Sequence, residues 1–300
     1  MSELPLTPAA EVVPTEIARR GRVLRRFVAN RTAVAGAVFL VIVVLIAVFA
    51  PLLAPFDPNK QNLLLRLKPP RHGHWLGTDE FGRDELTRII YGARVSLIAA
   101  LEAVAVATVG GIPSGMLAGF TAARMDAVLG RLNDALMSVP ALLMALTVIA
   151  VLGPGLNTAM LAVGVIFIPR FFRIARAATQ DVRHNTYVEA SRAIGCTTRR
   201  TVLYHVLPNA LTPLVVTLAI ALGAAVTAEA SLSFLGLGVK PPTPSWGSML
   251  GAADSNMVLA PHLVYFPGIM IALTVLAFAM VGDGLAQALG TSRQAVSEGV

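Results

Sequence analysis

Long apolar runs alternate with shorter polar stretches along this chain. The runs approach 20 residues, the length that crosses a hydrocarbon core of about 30 Å at about 1.5 Å of rise per residue. Residues 33–53 form an almost unbroken Val/Ile/Leu/Ala run closed by Pro51 and Pro55, which predicts a first membrane span. Five more spans are predicted over 94–120, 132–152, 158–172, 209–235 and 262–281. The second carries Gly110-Gly111-Ile112-Pro113, with Gly115 and Gly119 beyond. Gly and Pro at membrane depth need a neighbouring helix or a cavity to satisfy the backbone, and small residues let helices approach closely. The third contains Pro140 and ends at Gly153-Pro154-Gly155; the fourth is short and ends at Pro169-Arg170. The pattern predicts an all-α polytopic membrane protein of about six transmembrane helices.

The polar stretches set the organisation. Residues 1–32 precede the first run, 33–289 make the transmembrane unit, and 290–300 form a tail. Within the unit lie polar segments at 56–90, 174–208 and 236–260. Residues 16–31 hold Arg19, Arg20, Arg22, Arg25, Arg26 and Arg31 around Leu24, Phe27 and Val28. This reads either as a basic amphipathic helix on an anionic leaflet or as plain topological charge. Both readings put the N-terminus in the cytoplasm, because Lys and Arg concentrate in cytoplasmic loops. By alternation 56–90 and 236–260 lie outside, while 174–208 and the tail lie inside. Of the 24 basic residues, 16 fall inside and eight fall outside or at the outer edge. The outer segment 56–90 weakens that bias locally, but its five acids nearly balance its bases.

Composition agrees. The chain of 300 residues is 55% hydrophobic and only 14% charged, against roughly 25% charged in soluble domains. The net charge of +7 is accounted for by topology. No basic stretch interleaved with aromatics suggests nucleic acid. A single cysteine, Cys196, excludes an intrachain disulfide and any cysteine-rich metal site. Residues 1–15 are neither basic nor apolar, and the first apolar run is too long for a cleavable signal.

The polar island between the fourth and fifth runs is the most distinctive segment. Residues 187–194 are helix-competent, Gly195 is a natural left-handed stop, and Thr197 or Thr198 can cap a second short helix over about 199–206 that ends before Pro208. Short helices without a core of their own are marginal and need a surface to dock on. Glu189-Ala190-Ser191, then Gly195, then His205-Val206-Leu207-Pro208 resembles the EAA signature of binding-protein-dependent ABC importer permeases. Ser191 stands where that signature has a second Ala, and His205 where it has an Ile. The His-Val-Leu-Pro-Asn ending is usual in the oligopeptide, dipeptide and nickel branch. Two further segments look like the same branch: His74-Trp75-Leu76-Gly77-Thr78-Asp79-Glu80-Phe81-Gly82-Arg83-Asp84 followed by Gly92-Ala93-Arg94-Val95-Ser96-Leu97, and Ser231–Gly238 with Pro241-Pro242-Thr243-Pro244-Ser245-Trp246-Gly247.

The resemblance is closest to the C-type permease of dipeptide and oligopeptide importers, and it carries several expectations. The fold would be that of a type I ABC importer permease in a bacterial plasma membrane, with both termini cytoplasmic. Glu189, Ala190, Ser191, Gly195, His205, Leu207 and Pro208 would form the ATPase-coupling loop, with Glu189 the charged contact and Gly195 the turn. The partners would be a second homologous permease, two cytoplasmic ATPase subunits and an extracytoplasmic peptide-binding protein. The chain has no Gly-x-x-x-x-Gly-Lys-[Ser/Thr] loop to cradle phosphates. ATP and Mg²⁺ would therefore sit in the partners, and this chain would be no enzyme.

Other residues keep two readings. Glu102 and Glu229 are the acids nearest the hydrocarbon interior, where a charge costs about 2.5–3.5 kcal/mol on insertion scales. They either line the pathway or gate, or pair with another polar group or reach the interface. Asp79, Arg83 and Asp84 either pair within the outer loop or contact the binding protein. His72, His74 and His262 lie outside near acids, but no cluster has metal-ligand spacing. Nickel remains an alternative substrate. An ion-coupled secondary transporter is a different class, for which the paired broken helices and midplane charges are not found.

Overall fold

A computed structural model of the chain describes residues 16–290 except 122 and 184, without the side chains of 16–22, 192, 198, 199, 203, 205 and 209. The described chain is built from helices: α1 (Glu16–Ala29), α2 (Arg31–Val48), α3 (Ala50–Leu53), α4 (Glu85–Phe120), α5 (Ala123–Ser138), α6 (Ala141–Leu152) and α7 (Leu156–Arg183). There follow α8 (Thr186–Ala193), α9 (Thr198–Thr201), α10 (Leu207–Phe234), α11 (Trp246–Asp254) and α12 (His262–Leu289). Among the described residues five helices are long and apolar enough to cross a membrane, or six if the bent pair α5–α6 counts as one span. The polytopic all-α reading therefore holds.

Packing follows from where bulk is missing. α4 and α7 lie against each other along much of their length, and α4 presents Gly111, Gly115 and Gly119 at every fourth position. A Cβ on Gly119 would come within 2.7 Å of the Arg176 carbonyl oxygen, and one on Gly115 would meet the Phe172 carbonyl. Glycine is what allows this approach. The central core gathers Ala99, Ala103 and Ala107 of α4, Met160, Val163 and Phe171 of α7, and Ala225 and Val226 of α10. α2 and α10 both pack on α12, so α12 closes the bundle on one side.

Several boundaries differ from the sequence expectation. The first span divides into α2 and the short α3, and α4 begins at Glu85 rather than near residue 94. The third span is not one helix over 132–152: α5 and α6 meet at 91°. Pro140 removes a backbone donor and disfavours helical backbone at Val139, so the helix breaks there. The fourth helix does not stop at Pro169-Arg170 but runs 28 residues to Arg183, with Pro169 buried inside it. The second island helix does not end before Pro208. Instead Thr198–Thr201 passes through a π turn, Val202–Val206, directly into α10. Pro208 sits in the first turn of α10, where a missing N–H costs little, and a π turn absorbs the register change. The last helix continues past residue 281 to Leu289 and stops at the left-handed Gly290.

Candidate functional site

The island between α7 and α10 is built from local capping. The N–H groups of Val188 and Glu189 donate to the Asn185 carbonyl at 2.9 and 3.2 Å. Glu189 thus falls in the first turn of α8, where the helix dipole favours a carboxylate. At the other end Gly195 takes φ +83°, and the Cys196 N–H reaches the Ser191 carbonyl at 3.0 Å. This is the left-handed closure that a glycine makes without steric cost.

The short helices have two contrasting faces. Val188 and Val206 are fully buried, in a cluster with Met116 and Phe120 of α4, Ala175 and Val182 of α7, and Ala210 and Leu214 of α10. Ser191 is buried too; its Oγ donates to the Val188 carbonyl at 2.8 Å and lies 3.5 Å from Thr201 Oγ1. Away from this face Tyr187, Glu189, Ala190 and Ala193 are exposed, and Ile194 and Tyr204 are 81% and 73% exposed. Leu207 is half-buried and Pro208 exposed. The His205 side chain lies outside the described residues.

Behind the island α7 is braced to α5. Arg176 grips Asp126 with both Nε and Nη2, at 2.5 and 2.6 Å, and Arg173 lies 3.2 Å from Asp134. The bidentate geometry fixes orientation as well as charge. Asp126 thus offsets the Arg176 charge where α7 runs on beyond its apolar stretch.

The outer segment before α4 is knotted into itself. Asp79 accepts from the Phe81 and Arg83 N–H groups, both at 2.9 Å, and from Arg83 Nε at 2.6 Å. Arg88 Nε lies 3.5 Å from the same carboxylate, and its Nη1 donates to the Pro58 and Pro242 carbonyls. Asp84 does something different: it caps α4 through the Thr87 N–H and hydroxyl, both at 2.8 Å, and lies 2.8 Å from His74 Nδ1. Thr78 bonds the Leu65 carbonyl. Asp79, Arg83 and Asp84 are all at most 8% exposed. Among the described residues no group of three or more His, Cys, Asp or Glu could hold a metal ion.

The two membrane acids part company. Glu229 is fully buried; Ser233 Oγ donates to Oε1 at 2.7 Å and Ser96 Oγ to Oε2 at 3.0 Å. Ser96 also accepts the Trp246 N–H at 3.2 Å, while Trp246 Nε1 reaches the Ile89 carbonyl at 3.1 Å. Glu229 therefore ties α4, α10 and the start of α11 together. Glu102 remains half-exposed on α4. Sequence reasoning gave Ser96, Asp126 and Arg88 no role of their own. Ser96 and Glu229 stand 133 positions apart, and Arg176 and Asp126 stand 50 apart. No local spacing carries such pairs.

Fold and site together define an integral membrane permease, with a bundle of spans and a helical island projecting from one end. Comparison with known proteins places it further. Residues 111–293 match the family model described as binding-protein-dependent transport system inner membrane component, and residues 20–70 match the N-terminal transmembrane domain of oligopeptide transport permease C. The chain is 41% identical to a di/tripeptide transport system permease protein DppC of Pseudomonas aeruginosa, over 88% of this chain and 89% of that one. It is 37% identical to a dipeptide transport system permease protein DppC of Alkalihalophilus pseudofirmus, over 96% and 95%. It is 40% identical to a glutathione transport system permease protein GsiD of Pectobacterium atrosepticum, over 88% of each. Among solved structures, the MetNI methionine ABC transporter in an inward-facing conformation matches with a TM-score of 0.56 at 21% identity, over 68% of this chain and 96% of that one. That likeness concerns the fold alone. The chain belongs to the family of binding-protein-dependent transport system inner membrane components. It is a multi-pass inner-membrane transport permease, not an enzyme.

Proposed function

We propose that this chain forms half of the translocation pathway of an ATP-driven importer for di- and oligopeptides. The observation that carries the proposal is the two-faced island. Val188 and Val206 anchor it to α4, α7 and α10, while Glu189, Ile194 and Tyr204 face outward. A push on the outward face moves helices of the bundle, which suits a loop driven by a separate ATPase. Two cytoplasmic ATPase subunits, holding the ATP and Mg²⁺, would seat this face; Glu189 is the charged contact, Gly195 the turn, and Ala190, Ser191, His205, Leu207 and Pro208 complete the loop. The binding energy of nucleotide would shift the bundle between inward- and outward-open states.

A second, homologous permease completes the pathway. The break at Val139-Pro140 is exposed on this chain, and irregular backbone at membrane depth is tolerated only against protein or a water-filled cavity. Both termini lie in the cytoplasm. Residues 33–289 act as the transmembrane unit, with 56–90 and 236–260 outside and 174–208 inside. The outer side meets an extracytoplasmic peptide-binding protein. There Asp79, Arg83 and Asp84 hold the loop in shape. Glu102 faces the pathway, whereas Glu229 holds helices together. The peptide class is supported by the names of relatives at 37–41% identity.

Two measurements test this. Uptake of labelled dipeptide should be restored to a deletion strain by the chain with its partners, and competed by unlabelled dipeptides and longer peptides but not by Ni²⁺. Competition by Ni²⁺ alone would reassign the substrate. Glu189→Lys should weaken ATPase co-purification by roughly 30-fold, the effect of losing about 2 kcal/mol at an interface hot spot. Undiminished co-purification and uptake would refute the coupling role of the island.

A further inference from the structure

α1 is the most basic helix among the described residues, and neither the pathway nor the ATPase-facing loop accounts for it. Five arginines, Arg19, Arg20, Arg22, Arg25 and Arg26, fall within its 14 residues. Its position is fixed at one end. Phe27 lies beside Gly284 of α12, where a Cβ would come within 3.2 Å of the ring. Asn30 Nδ2 donates to Gln287 Oε1 at 3.0 Å. Asn30 also caps α2 by accepting from the Thr32 and Ala33 N–H groups, at 3.1 and 3.2 Å. Its backbone is extended, at φ −86° and ψ 103°, so α1 and α2 are separate helices meeting at the edge of a membrane span.

With Phe27 turned to α12, a second apolar strip is left uncovered. Leu24 and Val28, one helical turn apart, are 65% and 60% exposed, and Arg25 and Arg26 beside them are exposed as well. A helix of this kind, apolar on one strip and basic around it, rests in the boundary between headgroups and acyl chains. It lies one residue from the apolar span α2, so a bilayer is already at hand to cover it. We propose that α1 is a docking surface for anionic phospholipid: Leu24 and Val28 enter the leaflet, while Arg25 and Arg26 engage lipid phosphates. The helix would thereby pin the root of α2 and the end of α12 to the membrane plane.

The test uses the assembled transporter in lipid nanodiscs, in a Cys196→Ala background that removes the one native thiol. A fluorophore is attached at Leu24→Cys, and at His72→Cys in the outer segment, an exposed position, as the aqueous reference, with the extracytoplasmic binding protein left out. Nanodiscs contain phosphatidylcholine alone or with phosphatidylglycerol, and carry spin-labelled lipid as quencher. The expected result is strong lipid quenching at position 24, several-fold lower access to aqueous iodide than at 72, and a clear increase of lipid contact with phosphatidylglycerol. Arg25→Glu with Arg26→Glu should abolish that increase while the complex still assembles. Iodide access at 24 equal to that at 72 would overturn the proposal, as would a label shielded from both quenchers, which would mean a protein cover. Lipid contact indifferent to phosphatidylglycerol would overturn the anionic recognition. No readout depends on the transported substrate, so failure here leaves the transport reading standing.

Discussion

The polar segment leading into α4 and the polar island before α10 both carry charge between apolar spans, but they are organised in opposite ways. Around the start of α4 four charges turn inward: Asp79, Arg83, Asp84 and Arg88 are all buried and bonded to the chain itself. In the island the buried residues are small or apolar, Val188, Ser191 and Val206, and the carboxylate of Glu189 faces out. These four outer charges find their partners within one chain, whereas the island holds its shape by capping and one apolar patch. A region that has used its polar groups internally provides a rigid rim. A region that presents them outward is organised for a partner.

The sharpest way to break this comparison is to unpair the outer knot. Asp79→Ala removes the acceptor for two N–H groups and two guanidinium groups. Breaking a buried pair by deleting one partner costs about 3–5 kcal/mol, because the remaining charge is left without compensation. The expected outcome is a large drop in thermal stability of the detergent-solubilised complex, read by fluorescence-detected size exclusion. At low temperature, where the fold survives, ATPase co-purification should persist. If the variant melts as the parent does, the outer segment is not the rigid element argued for.

How much of this contrast was legible beforehand depends on the range of each interaction. Spans with uniform apolar runs, such as α2 and α12, were readable because bilayer thickness imposes a length. Gly195 was readable because a left-handed helix stop is a single-residue property. The 91° break between α5 and α6 was not, since a proline in an apolar run can equally kink a continuous helix. The continuation of α7 beyond Arg173 was hidden for another reason. Its arginines read as a membrane exit, but Asp126 and Asp134 on α5 hold Arg176 and Arg173. The alternatives for Asp79 and Arg83 could be stated, but their pairing needed the turn through Gly82, which takes φ +70°. Local chemistry was thus visible, and the partners supplied by distant chain were not.

A smaller effect is expected at Glu229, which links the membrane core to the outer rim. Glu229→Leu removes the acceptor from the Ser96 and Ser233 hydroxyls, and leaving buried donors unsatisfied costs about 1–3 kcal/mol. Glu229→Gln keeps the size and an acceptor oxygen, and should lose less. Thermal stability and dipeptide uptake should fall together in the Leu variant and recover largely in the Gln variant. Uptake lost in Glu229→Gln at unchanged stability would instead assign the carboxylate a place in the pathway.

The smallest effect sharpens the comparison from the island's side. Ser191 is buried, yet its hydroxyl serves only the Val188 carbonyl within its own helix, with Thr201 at the limit of bonding distance. Replacing it by Ala removes a donor whose acceptor is already part of the helical ladder, and Ala is the better helix former. The net change in stability should therefore be under about 1 kcal/mol, with dipeptide uptake and ATPase co-purification near the parent's. The contrast with Asp79→Ala is the point of the experiment: one buried polar group is essential and the other dispensable, although both sit in polar segments of a membrane protein. A large loss in Ser191→Ala would mean that the Ser191–Thr201 contact holds α8 against α9. The island would then owe its shape to internal bonding, as the outer segment does, rather than to capping and the apolar patch around Val188 and Val206.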